Sequence, residues 1–387
     1  MNSRVAQFLQ GDKVIWTIVL ILATLSVMAV YSSTGMLAYK EKGGLTEFYL
    51  LKHGSFIMGG LILTWVFSRL PYVFYGRVAK TLFYLTIPLL IYTLFFGVDM
   101  NDARRWITIP IISLTFQASD FAKVVLMLFL ARQLALHQGQ KMDLFTLAKP
   151  VLLPVAIVCA LIMPANLSTA LLLFLTSMAL MVVGRIDLRS LGAMIGAGVL
   201  LFGVIFLLGL VMPEATRAST WVSRIQSFAT DSDGGYQVQQ AKIAIVNGGL
   251  FGEGPGNSYQ RNVLPSGYSD FIYAIFIEEY GFIGAVFLLI MYVLFFIRSV
   301  RLVTLCDKPF GSLLVMGISL LIVLQALANM AVAVNLGPVT GVTLPFMSMG
   351  GTSLLFFSMS AGMILSVSRY VERTQSEEVK EMEPCVS

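Results

Sequence analysis

Five ionisable residues fall inside apolar runs of this 387-residue chain: Asp120, Lys123, Asp270, Glu278 and Glu279. A charge at such a position costs a few kcal/mol, so each one marks a function or a partner. Asp120 and Lys123 are three residues apart and meet on one helix face. They read either as a structural ion pair joining helices or as substrate contacts. Asp270 follows Ser269 at the head of an apolar run. One reading is a first-turn carboxylate favoured by the helix dipole. The other is a carboxylate at the outer membrane interface, facing a cavity and acting as a general base. The helix terminus favours its ionised form and burial opposes it. Glu278 and Glu279 lie about two turns deeper. At most one shares the Asp270 face, and the other bonds a neighbouring helix. Arg104 and Arg105 stand beside Trp106. They read as snorkelling arginines in an aromatic belt, or as a recognition pair for pyrophosphate.

The elements holding these groups must be transmembrane helices. Hydrophobic residues make up 57% of the chain and charged ones 12%, with mean hydropathy +0.83, where soluble domains carry about 25% charged residues. The fold class is an all-α integral membrane protein with ten spans: 14–34, 54–70, 80–98, 119–136, 147–164, 167–184, 190–212, 270–297, 310–334 and 352–368. Backbone groups in lipid need internal partners, which requires helices. The excess of Lys and Arg in short loops puts both termini in the cytoplasm. The first apolar run carries no small-residue cleavage site and reads as a span, not a signal peptide. Residues 1–368 form one polytopic domain, and 369–387 a charged, flexible cytoplasmic tail. Between the seventh and eighth spans lies a large extracytoplasmic loop, 213–269. It holds a short interfacial helix over Trp221–Phe228 and a glycine cluster from Gly248 to Gly256. That cluster is neither a Walker loop nor a dinucleotide fingerprint. It implies a tight turn or a close approach. Pro and Gly between Asn335 and Ser353 break helix and predict a re-entrant segment before span ten. The basic residues are dispersed, which argues against nucleic acid. Two histidines, His53 and His137, exclude a multi-histidine metal site, and Cys159, Cys306 and Cys385 have no metal-ligand or disulfide spacing.

Several stretches, in order, resemble the SEDS family of cell-wall polymerases, whose division and elongation branches are FtsW and RodA. They are Ala103-Arg104-Arg105-Trp106-Ile107, Gln117 to Lys123, Tyr236-Gln237 to Gly256, Leu264 to Ile272 with Glu278-Glu279-Tyr280-Gly281, and Thr343-Leu344-Pro345-Phe346 with Ser348 to Ser353. The resemblance covers nearly the whole chain. Thr343 before Leu344-Pro345 is more like the division branch, and Val339 more like the elongation branch. Departures are Asn166 where the family has a carboxylate, Thr340 for a lysine, Asp120 for a glutamate and Tyr268 for a histidine.

The resemblance implies a peptidoglycan glycosyltransferase that polymerises lipid II at the outer face of the bacterial cytoplasmic membrane, at the division septum. It implies Asp270 as catalytic base. Arg104, Arg105, Asp120, Lys123, Gln240, Glu278, Glu279, Ser348 and Ser353 are its expected substrate contacts. A divalent cation, magnesium or manganese, is the one cofactor it admits. Its partners are a class B penicillin-binding protein that cross-links strands, other divisome proteins, lipid II, undecaprenyl-pyrophosphate-linked glycan and membrane lipid. The rivals are a lipid II flippase or other carrier, an elongation-branch polymerase, and a scaffold that only recruits the cross-linking partner.

Overall fold

The computed structural model describes residues 10–35, 37, 39, 45–100, 103–109, 114–138, 148–211, 235–265 and 267–382. The predicted interfacial helix Trp221–Phe228 lies outside them. For Arg104 and Arg105 the backbone alone is described. In chain order the helices are α1 (Lys13–Ser33), α2 (Thr46–Arg69), α3 (Tyr72–Phe96), α4 (Ala118–Leu136), α5 (Leu153–Ile162, after a π turn at Ala148–Leu152), α6 (Leu167–Val183), α7 (Leu188–Val211), α8 (Gly235–Gly248), α9 (Ile272–Leu305), α10 (Pro309–Ala333) and α11 (Thr352–Met382). A helix stands at each of the ten predicted spans. Six of them, α1–α3 and α9–α11, are long and apolar enough to cross a membrane. The chain is a multi-pass helical membrane protein. Large apolar side chains such as Leu51, Met58, Tyr84, Leu175, Phe282 and Ile297 are exposed on the outside of the fold, as a lipid-facing surface requires.

Two features depart from the sequence reading. The fold is not wholly helical. Strands β1 (Val98–Met100), β2 (Ala103–Ile109) and β3 (Leu114–Gln117) make a three-stranded antiparallel sheet in the order β1-β2-β3. Trp106 pairs with Gln117, and Ile107 with Phe116. Such a short meander is stable only against a larger core. Phe116 supplies that core, meeting Phe121 on α4 and Phe356 on α11 at ring distances of 6.3 and 5.5 Å. Secondly, α11 does not stop near residue 368 but continues to Met382, through most of the expected tail.

Local chemistry explains the helix ends. Asp12 caps α1, its Oδ1 accepting from the N–H groups of Val14 and Ile15 at 2.8 and 3.2 Å. Its Oδ2 takes Arg298 at 2.5 Å and its own N–H reaches Ser368 Oγ at 2.8 Å, which ties α1, α9 and α11 at one end. Asn166, where the family pattern has a carboxylate, caps α6 by accepting from Thr169 N at 3.2 Å. Proline opens α5 and α10. Small residues let α2 and α11 close up: Gly60 and Thr64 face Ser358 and Gly362, and Thr64 Oγ1 donates to Ser358 O at 2.9 Å. α10 is the central post, touching α9, α4, α6 and α11.

Helix α9 is two helices in one. Gly281 sits at φ 67°, ψ −170°, outside helical space. The broken ladder is answered from the glycine cluster. Glu253 N and Gly254 N donate to Glu278 O and Glu279 O at 2.9 and 3.0 Å, and Phe282 N donates to Gly249 O at 2.9 Å. A methyl group on Gly252 would strike Glu279 O, and one on Gly281 would strike Leu250 O. The close approach implied by the cluster is therefore made by another part of the same chain.

Candidate active site

Asp270 precedes α9 by two residues, is half-buried, and faces the re-entrant segment. An alanine methyl at Gly341 would lie 3.6 Å from its Oδ2. The predicted break between α10 and α11 is present: residues 335–351 are not helical. Leu344, Phe346 and Met347 within it are buried, at 1%, 5% and 0% exposure. Buried irregular backbone survives only if its polar groups are answered inside the protein. Side chains from surrounding helices answer them. Ser26 Oγ of α1 donates to Met347 O at 2.9 Å and also meets His53 Nε2 of α2 at 2.8 Å. Tyr292 of α9 donates to Pro345 O. Gln325 Nε2 of α10 donates to Thr343 O at 2.9 Å, and Asn329 Nδ2 to Val342 O at 2.7 Å.

The same segment grips the chain just before α9. Ser348 Oγ accepts from Leu344 N at 2.8 Å and donates to Ser269 O at 2.6 Å. Met349 N donates to Tyr268 O at 3.0 Å. Asn329 Nδ2 also donates to Asp270 O at 2.7 Å. The carboxylate is thus mounted on a backbone pinned at three successive residues.

Asp120 and Lys123 form the anticipated pair on α4, Lys123 Nζ meeting Asp120 Oδ1 at 2.8 Å with side-chain exposures of 4% and 6%. Lys123 also donates to Gln325 Oε1 at 2.9 Å and lies 5.6 Å from the centre of the Phe357 ring. Asp120 Oδ2 and Asn329 Oδ1 are buried without a hydrogen-bond partner among the described residues.

Of the other predicted contacts, Ser348 belongs to this cluster. Ser353 opens α11 and donates to Gly350 O at 3.1 Å, one residue from Thr352, whose Oγ1 donates to Thr115 O of β3 at 3.3 Å. The sheet bearing the backbone of Arg104 and Arg105 therefore docks on the start of α11, and it runs directly into α4. Gln240 is half-buried on α8. Glu278 and Glu279 are each 1% exposed and engaged by the chain itself, and the bond of Glu279 to α1 is the neighbouring-helix contact expected of one of them. Glu278 accepts from Ser258 Oγ and from Gln260 N at 3.1 Å, with Asn247 Nδ2 at 3.3 Å. Glu279 accepts from Ser32 Oγ of α1, to which Arg261 also donates at 3.3 Å. They hold turn 257–262 and α1 against α9, because two adjacent carboxylates in a buried helix each need a separate set of donors. Sequence reasoning passed over Gln325 and Asn329. The available signal was two amides four residues apart, and so on one face, in an otherwise apolar span. Among the described residues no three or more His, Cys, Asp or Glu side chains gather to hold a metal ion. A divalent cation at Asp270 would therefore need its other oxygens from water, carbonyl groups or a bound substrate.

This arrangement matches known proteins along its length. A chain from a structure reported as "Structural coordination of polymerization and crosslinking by a peptidoglycan synthase complex" superposes with TM-score 0.73, covering 93% of this chain and 98% of that one at 24% identity. The rod shape determining protein RodA of Thermus thermophilus superposes with TM-score 0.67, covering 94% and 98% at 24% identity. Both establish a shared fold. A "probable peptidoglycan glycosyltransferase FtsW" of Coxiella burnetii is 32% identical over 364 residues, 91% of this chain and 96% of that protein. A protein of the same name from Bacillus subtilis is 29% identical, covering 94% and 92%. The family model described as cell cycle protein, of the FtsW, RodA and SpoVE type, matches residues 12–373, and the chain belongs to that family.

Proposed function

We propose that this protein is a peptidoglycan glycosyltransferase of the division type, polymerising lipid II into glycan strands with Asp270 as its general base. The relatives named as peptidoglycan glycosyltransferases, matched over nine-tenths of the chain, support the activity and the branch. The observation that carries the site is the seating of Asp270: half-buried, against Gly341, on backbone fixed by Asn329 and Ser348. The acceptor is the 4-hydroxyl of a lipid II GlcNAc. The donor is the growing strand on undecaprenyl pyrophosphate. As the hydroxyl oxygen attacks the donor's anomeric carbon, its proton passes to the Asp270 carboxylate. The bond to pyrophosphate breaks and its electron pair leaves with the phosphate. Inversion turns the α-linked phosphate into a β-linked glycan, and no covalent enzyme intermediate is needed. Arg104 and Arg105, on the sheet beside α4, stabilise the departing charge. Around this chemistry the chain crosses the membrane ten times with both termini in the cytoplasm, and 213–269 lies outside. A class B penicillin-binding protein cross-links the product, which agrees with likeness to a chain of a peptidoglycan synthase complex.

The test is the purified protein, with its cross-linking partner, given lipid II in detergent. Asp270→Asn is expected to keep its melting temperature and partner binding while losing about a hundred- to ten-thousand-fold in glycan formation. Full polymerisation by that variant removes Asp270 from the mechanism. A wild type that forms no glycan while lipid II crosses vesicles containing it would favour the carrier reading instead. Polymerisation that persists unchanged in a chelator would show that no divalent cation takes part.

A further inference from the structure

Asp270 and the Asp120–Lys123 pair belong to different helices, yet one polar face of α10 connects them. Gln325 and Asn329 are four residues apart on that face and each is 1% exposed. Their amide orientations are not free. Asn329 meets two carbonyls, Asp270 O and Val342 O, both at 2.7 Å, so its NH₂ must point at them. Gln325 lies between an obligate donor, Lys123 Nζ at 2.9 Å, and an obligate acceptor, Thr343 O at 2.9 Å. Its oxygen must face the lysine and its NH₂ the carbonyl. Lys123 therefore chooses the Gln325 orientation, and Asp120 holds Lys123 in place at 2.8 Å. Turning the amide over would set oxygen against oxygen at Thr343, next to the Val342 carbonyl that Asn329 binds. The chain of contacts is Asp120, Lys123, Gln325, the 342–343 backbone, Asn329, Asp270. Asp120 is buried at 5% exposure and the three linking side chains at 3% or less, and Asp270 is half-buried.

We propose that Gln325 and Asn329 are positioning residues that aim Asp270, and that the buried ion pair acts on catalysis by fixing the Gln325 amide, not by touching the substrate. This rests on the polymerase reading. The decisive variants are near-isosteric: Asn329→Asp and Gln325→Glu replace an NH₂ donor with an oxygen acceptor that faces a carbonyl. In purified protein with its partner, assayed at a temperature where each variant stays folded, each is expected to lower kcat for lipid II polymerisation about tenfold or more, with KM close to wild type and a fall of only a few degrees in melting temperature. Hydrogen exchange in peptides spanning 267–272 and 339–349 should rise, while α6 stays protected. Lys123→Met combined with Gln325→Glu should cost little more than either change alone, because both disable one link. Wild-type kcat in both single variants overturns the proposal. So does a loss of rate that merely follows a loss of melting temperature, and so does multiplicative behaviour of the double variant. The exchange measurement needs no turnover. If wild type makes no glycan, the polymerase reading fails, and local loosening still reports whether the two amides hold this backbone.

Discussion

A single carbon atom tests the seating of Asp270. Gly341 adopts φ +63° and has the carboxylate 3.6 Å from where a β-carbon would stand. Gly341→Ala costs about 1–2 kcal/mol for the left-handed backbone and sets a methyl in van der Waals contact with the proposed base. The expected outcome is a several-fold drop in kcat with a fall of a few degrees in melting temperature, read by lipid II gels and detergent melting curves. Glu278 makes the opposite prediction. Its carboxylate takes donors from Ser258, Gln260 and Asn247 of the chain itself. Glu278→Gln turns one acceptor into a donor facing donors, at a cost of about 1–3 kcal/mol. Its melting temperature should fall while the KM for lipid II of the surviving protein stays unchanged; a raised KM at normal stability would restore it as a substrate contact. Charge made Asp120, Lys123 and Asp270 legible in the sequence, because ionisable residues are few in its apolar runs. Gln325 and Asn329 left little trace. They carry no charge in a span that stays apolar on average, and the carbonyls they bind belong to the backbone, which has no letter of its own.

At the scale of elements, long apolar runs marked where helices stand, six of them long enough to cross a membrane, and proline and glycine marked the non-helical break between α10 and α11. The sheet was not legible: its strands are 3, 7 and 4 residues long and draw their core from α4 and α11, not from each other. Nor was the break in α9. A lone glycine in an apolar run is tolerated in a continuous helix, and only the partner strand of backbone at 249–254 shows that here it is not. Gly281→Ala is expected to be the most damaging change on α9. The methyl meets Leu250 O and Gly252 N, backbone atoms that cannot step aside without losing the bonds to Glu278 O and Glu279 O. Poor expression, or protease sensitivity of the 235–265 region, would show this. A normally folded Gly281→Ala protein would mean that α9 can run straight.

For the whole molecule, membrane-impermeant labelling tests orientation. A cysteine at Tyr259, 69% exposed, should react in intact spheroplasts, in a background with the native cysteines replaced by serine. One at Asp307, an exposed residue between α9 and α10, should react only after lysis. The reverse pattern would invert the proposed topology. The break in α9 also bears on how the protein is made. Gly281 lies about 14 Å along the axis from the first residue of α9, and the peptide groups left open by the break, Glu278 O, Glu279 O, Phe282 N and Ile283 N, find partners in residues 249–254. Those residues are synthesised before α9, so the glycine turn must already be waiting when the second half of α9 leaves the insertion machinery. Released into lipid alone, that helix would carry bare peptide groups at several kcal/mol each. In the proposed topology, export of the preceding loop and lateral release of α9 would be coupled, and a delay in the first should be seen as prolonged crosslinking of α9 to the translocation channel.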